Sequence, residues 1–160
     1  MTNSPVSTFE DAHPYFAKQL NNKVWELLQK PDRTKSDDEL MVHAAHASCY
    51  HWLSAGTGLN QQRAEWLVAH VYTVLGYKES ALRHANRCLE LTREFSELMM
   101  DFDKAYAQEC MARAFAMAGN RDEAKKYIAL AEKEGQAIAK EKEKFIFMND
   151  FKGGNWYGMR

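Results

Sequence analysis

Proline punctuates this chain at positions 5, 14 and 31 and then never again through Arg160. Proline breaks helices by removing a backbone donor and clashing with the preceding turn. A long proline-free stretch filled with apolar residues at steps of three and four therefore predicts an all-helical chain. The expected segments are Asp11–Gln29, then one from the "SDDEL" stretch to "SAGTG", then Asn60–Leu75, Lys78–Met99, Asp101–Ala118 and a sixth after Gly119-Asn120. In the first, Asp11 is expected as N-cap, Pro14 falls in the first turn, and Phe16, Leu20, Val24, Leu27 and Leu28 form the buried stripe. In the second, Ser36 and Glu39 have capping-box spacing.

Composition agrees with one soluble domain. Of 160 residues, 46% are apolar and 27% charged, enough to bury a core without making the surface greasy. The formal net charge of -1 exerts no global pull on nucleic acid or anionic membranes. Apolar runs are too short to cross a bilayer. The opening "MTNSPVSTFEDAH" has no basic and apolar leader pattern, so no secretory signal is expected. Cys49, Cys88 and Cys110 are odd in number, lack CxxC spacing and sit among apolar neighbours. Buried free thiols in a reducing, cytoplasmic setting are expected.

Two stretches share one pattern. In "AHVYTVLGYKESALRHANRCLEL" and "ARAFAMAGNRDEAKKYIALAEKE" a small residue (Ala69, Ala112) precedes an aromatic (Tyr72, Phe115) by three. A turn glycine follows (Gly76, Gly119), then an alanine (Ala81, Ala124). The glycine suits a left-handed helix end, and the alanines let two antiparallel helices approach closely. This resembles the tetratricopeptide repeat, a helix-turn-helix unit that stacks into a superhelix. The resemblance implies a right-handed superhelix of about six helices within residues 1–144, as a degenerate pair 11–55 and repeats 60–99 and 101–144. An aromatic tail, 145–160, follows. The glycines lie 43 positions apart rather than the family's ~34, so "REFSELMMD" implies a longer second helix or a longer connection. The combination of "AHASCYHW", "RAEWLVAHVYTVLG" and "DFDKAYAQECMARAFAMAG" also resembles a group of uncharacterised bacterial proteins of similar length.

In the tetratricopeptide family the first helix of each pair lines a concave binding face. Carried over by position, the resemblance implies a face of Arg63, Trp66, His70 and Thr73 with Tyr106, Glu109, Arg113 and Ala116. Arg63, Trp66, His70, Tyr106, Glu109 and Arg113 would then bind a peptide or protein partner, the arginines offering bidentate bonds to a carboxylate. The structural alternative is that Glu109 and Arg113 pair with each other and Trp66 is core.

"MVHAAHASCYHW", residues 41–52, invites a different reading. On a helix, His43, His46, Tyr50 and Ser54 share one side, while Met41, Ala45, Cys49 and Trp52, with Val42 and Leu53, face the core. His51 points roughly 140° from His46. The alternative function is thus a metal- or small-molecule-binding patch, or an enzyme, at His43, His46 and Tyr50, with Asp101, Asp103 or Glu109 as further ligands. HAAH lacks the HExxH pattern, and "DFD" at 101–103 is explained as helix-start chemistry with Asp101 as N-cap. "GTG" at 56–58 reads as an interhelix turn. No cofactor, resident metal, nucleic acid or membrane is expected, and no catalytic signature. The apolar tail (Phe145, Phe147, Phe151, Trp156, Tyr157) must fold back as a cap, fill a groove or form a homodimer contact.

Overall fold

The computed structural model describes residues 8–159. They form α1 (Phe9–Gln29), α2 (Lys35–Ala55), α3 (Gly58–Leu75), α4 (Lys78–Glu94), α5 (Asp101–Ala118), α6 (Arg121–Gln136) and α7 (Glu141–Lys152), with one 3-10 turn at Ser96–Leu98. Among the described residues this makes seven α-helices, one more than the six expected, and no strand. None is long and apolar enough to cross a membrane.

Local chemistry sets the boundaries. Thr8, not Asp11, caps α1, its Oγ1 accepting the Asp11 amide at 3.1 Å. Starting earlier moves Pro14 beyond the first turn. The capping box of α2 is Thr34 and Asp37 rather than Ser36 and Glu39. Thr34 Oγ1 accepts the Asp37 amide at 3.1 Å, and the Asp37 carboxylate accepts the Thr34 amide at 2.9 Å. Lys30 reaches the same carboxylate at 2.7 Å and holds its pKa down at about 2, which favours this register. Gly76 and Gly119 end α3 and α5 with φ of 83° and 80°, the left-handed conformation their spacing predicts.

Neighbouring helices pack as α1 on α2, α3 on α4 and α5 on α6, linked by α2 on α3 and α4 on α5. The fully buried alanines 69, 81, 112 and 124 lie where the helices meet. Three core clusters run in sequence along the molecule. The first is centred on Val24, Met41 and Val68, the second on Ala85, Cys88 and Cys110, the third on Ile138, Phe147 and Phe151. Two expected core positions are outside. Phe16 is 45% exposed and Leu53 is also exposed. Ala12, His13 and Ala17 take the buried face of α1 instead, where small side chains allow close contact with α2.

The nine extra residues between the repeats form a connection, not a longer helix: α4 ends at Glu94, and Phe95 leads into the 3-10 turn. Phe95 packs on Gly58, where an added Cβ would lie 2.3 Å from its ring. That explains the glycine in the "GTG" turn. The expected sixth helix also stops short, at Gln136. Ile138 turns inward, and Gly135 receives the Phe147 ring so closely that an added Cβ would lie 2.2 Å from it. The sequence 141–152 then forms α7, which packs on α5 and α6. The expected boundary at 144/145 therefore falls inside a helix.

Candidate functional site

The aromatic tail is consumed within the chain. Phe147, Phe151 and Trp156 are buried, while Phe145 stays 74% exposed. Phe147 packs edge-on to Tyr106 of α5 at 4.9 Å, and Trp156 edge-on to Phe151 at 5.4 Å. Arg113 fastens the return. It contacts Glu109 one turn away and donates to the carbonyls of Asp150 (3.0 Å), Gly153 (3.0 Å) and Asn155 (3.1 Å). Its guanidinium lies 4.0 Å over the Trp156 ring. Tyr157 completes the closure, its hydroxyl donating to the Thr73 carbonyl at 2.9 Å.

Between this tail and the first helices of the pairs lie two adjoining cavities. The smaller, about 330 Å³, is lined by Asn21 and Trp25 of α1, Gln62, Arg63, Trp66 and Leu67 of α3, Phe102, Asp103 and Tyr106 of α5, and Asp150 of α7. The larger, about 510 Å³, is lined by His70, Thr73, Glu109, Arg113, Asn155 and Tyr157, among others. Trp25, Trp66, Tyr106 and Asp150 belong to both. Each volume lies within the range of ligand sites.

The six residues expected to share a face thus come together, and two partners from other elements join them. Trp25 stacks on Trp66 with ring centroids 6.1 Å apart, and His70 stacks on the same indole at 4.9 Å. Tyr106 meets Trp66 edge-on at 5.6 Å and donates its hydroxyl to Asp150 Oδ2 at 2.6 Å. Sequence reasoning missed Trp25 and Asp150. Trp25 gave a signal, as an indole on the polar side of the Leu20–Val24–Leu27 stripe, one helical turn from Asn21. Asp150 gave none, because its place depends on how the chain returns across α5.

The arginines serve the fold. Arg63 forks onto Asp103 through Nε at 2.8 Å and an η nitrogen at 3.0 Å, and lies over Phe102. Asp103 also accepts the Met100 amide at 3.0 Å at the start of α5. Asp101 follows the N-cap, Met100, rather than being it, and accepts the Ala139 amide at 3.2 Å. Gln62, fully buried, donates to Thr92 Oγ1 (3.0 Å) and the Asp103 carbonyl (3.4 Å).

Burial governs protonation here. It pushes the His70 imidazole down to about 4, helped by Arg113 and opposed by Asp150. Burial raises the Glu109 carboxyl, against the pull of Arg113 in direct contact. Burial also raises the Tyr106 phenol, as does its bond to Asp150. These groups offer stacking faces and one carboxylate.

The histidine stretch divides differently. His43 is exposed and lines a separate pocket of about 700 Å³ with Lys35 and Tyr77. His46 Nε2 meets the Tyr72 hydroxyl at 2.8 Å and packs edge-on to His84, whose Nδ1 lies 2.6 Å from Glu65. Burial, then His84, lowers the His46 pKa. Tyr50 packs near His13 and His51, whose Nδ1 atoms are 2.7 Å apart. His43, His46 and Tyr50 therefore do not converge. Among the described residues no three His, Cys, Asp or Glu side chains are grouped to hold a metal ion. Cys49 is buried and its thiol pushed up to about 12. Compared with models of known families, with curated proteins and with solved structures, the chain gives no match.

Proposed function

We propose that this chain is a non-enzymatic binding module that takes a peptide segment of another protein on the face built from α1, α3 and α5. The observation that supports the reading is the pair of joined cavities along that face, walled by Trp25, Trp66 and Tyr106. Rigid aromatic surface, partly open to solvent and backed by a packed core, is the usual anchor of peptide recognition. A tetratricopeptide-like superhelix is part of the same proposal. The pairing of α1 with α2, α3 with α4 and α5 with α6 favours it, as does contact between α3 and α5 and the glycine-ended first helices.

The six-residue face is refined within the proposal. Trp66, His70 and Tyr106 present surface to the ligand, while Arg63, Glu109 and Arg113 hold the walls in place. Selection from a displayed random-peptide library, with Trp25→Ala as counter-selection, tests the reading. Trp25 is 39% exposed at the rim, so its truncation leaves the core intact. Enrichment of peptides that bind the parent protein and lose affinity at least tenfold on Trp25→Ala is expected. Peptides bound equally well by the variant, or no enrichment at all, would refute the proposal.

A further inference from the structure

We propose that the cavity walled by Trp25, Trp66 and Tyr106 binds an organic cation, the ammonium or guanidinium head of a lysine or arginine side chain, with Asp150 as its counter-ion. The source of the cation rests on the peptide-binding reading above; the sign of its charge does not.

The sign follows from accounting for every charged group on the walls. Arg63 is paired with Asp103 through Nε and one η nitrogen, so its charge is balanced on the wall although its side chain stays partly exposed. Arg113 is spent on Glu109 and on three carbonyls of the tail. The His70 ring is neutral at physiological pH. Asp150 is left over. Its carboxylate accepts the Tyr106 hydroxyl, and no lysine, arginine or histidine among the described residues forms an ion pair with it. It lines both cavities. An anionic ligand would meet this carboxylate and find each guanidinium already paired with a carboxylate, so the carboxylate recognition that two arginines suggest in the sequence is reversed.

The walls fit the same ligand. Trp66 and Tyr106 meet at 73° beside Asp150, and Trp25, stacked on Trp66, adds a third ring to the wall. Aromatic faces attract cations when the charge lies within about 6 Å of the ring centre, and tryptophan does so best. The Tyr106 hydroxyl, by donating to Asp150, fixes the carboxylate at the corner.

The test uses choline, its uncharged isostere 3,3-dimethylbutan-1-ol, and capped pentapeptides of glycine carrying one central lysine, arginine or glutamate. Binding to the full chain is followed by tryptophan fluorescence and indole NMR shifts. Choline and the lysine or arginine peptide are expected to bind at least tenfold more tightly than the isostere and the glutamate peptide. Asp150→Asn, which keeps an acceptor for Tyr106 and the backbone carbonyl for Arg113, should weaken the cations at least fivefold at unchanged melting temperature. Equal binding of choline and its isostere, an unchanged affinity in Asp150→Asn, or no binding of any cation overturns the inference. If choline binds and no peptide does, the cation site stands and the peptide reading falls. If the glutamate peptide binds best, the cation site falls and the peptide reading stands.

Discussion

Arg113 shows how one side chain can look like a ligand-binding group in sequence and act as a clamp in the fold. Buried with Glu109 and bonded to three tail carbonyls, it has four of its five N–H donors already occupied within the chain. Arg113→Ala leaves a buried carboxylate without its cation and should cost about 3–5 kcal/mol in urea unfolding. Arg113→Lys should recover only part, because a single ammonium cannot span the four acceptors. His70 makes the protein acid-sensitive. Its pKa falls from an ordinary 6.5 in the unfolded chain to about 4 when folded. Between those values the unfolded state binds more protons, so stability is full above pH 6.5 and declines as pH drops toward 4. Comparing His70→Gln with the parent across this window should show the decline reduced by roughly 3 kcal/mol, since one pKa unit corresponds to about 1.4 kcal/mol. His46 and His51 are shifted in the same direction and persist in both proteins, so they cancel in the comparison.

At the scale of elements, much of α1 to α6 is legible in the residues and α7 is not. The glycine-ended helices and the alanine contacts follow from local backbone preference and close packing, which sequence spacing encodes directly. Capping residues were displaced by two or three positions because Ser, Thr and Asp cluster near both helix starts and several boxes compete. The break after Gln136 was hidden by its polar setting: in "EKEGQAIAKEKEK" only Gly135 and Ile138 go inside, and both do so to meet distant partners. Gly135→Ala separates the two influences. Alanine improves helix propensity by about 1 kcal/mol, but its Cβ would sit 2.2 Å from the fully buried Phe147 ring. The overlap should win, giving net destabilisation of about 1–3 kcal/mol. Adding Phe147→Leu should return part of it, as a double-mutant cycle by thermal unfolding would record.

Across the whole molecule, the candidate site forms where four helices that are distant in sequence meet, which is why only its α3 and α5 contributions were readable. Arg63, Trp66, His70, Tyr106, Glu109 and Arg113 are what the tetratricopeptide resemblance implies, counted by position from Gly76 and Gly119. Trp25 and Asp150 required the arrangement of α1 and α7 around them. Cysteine chemistry also belongs to this scale. Cys49, Cys88 and Cys110 sit in two separate core clusters, each raised in pKa by burial. None should react with a bulky disulfide reagent at neutral pH while the protein is folded, and all three should react together on unfolding. A fast-reacting thiol in the native protein would show that one cluster opens on its own.

The Tyr157–Thr73 hydrogen bond joins positions 84 residues apart in a protein otherwise built from neighbouring hairpins. Contacts between adjacent hairpins close small loops and form early, whereas this one must wait for every helix it bridges. The wall that completes the cavity is therefore expected to form after the helices it bridges. Amide protons of residues 153–159 should exchange orders of magnitude faster than those of α3 and α5. Entry to the site would then be set by how often the tail lifts, a rate tunable at Tyr157, whose hydroxyl ties the tail to the Thr73 carbonyl.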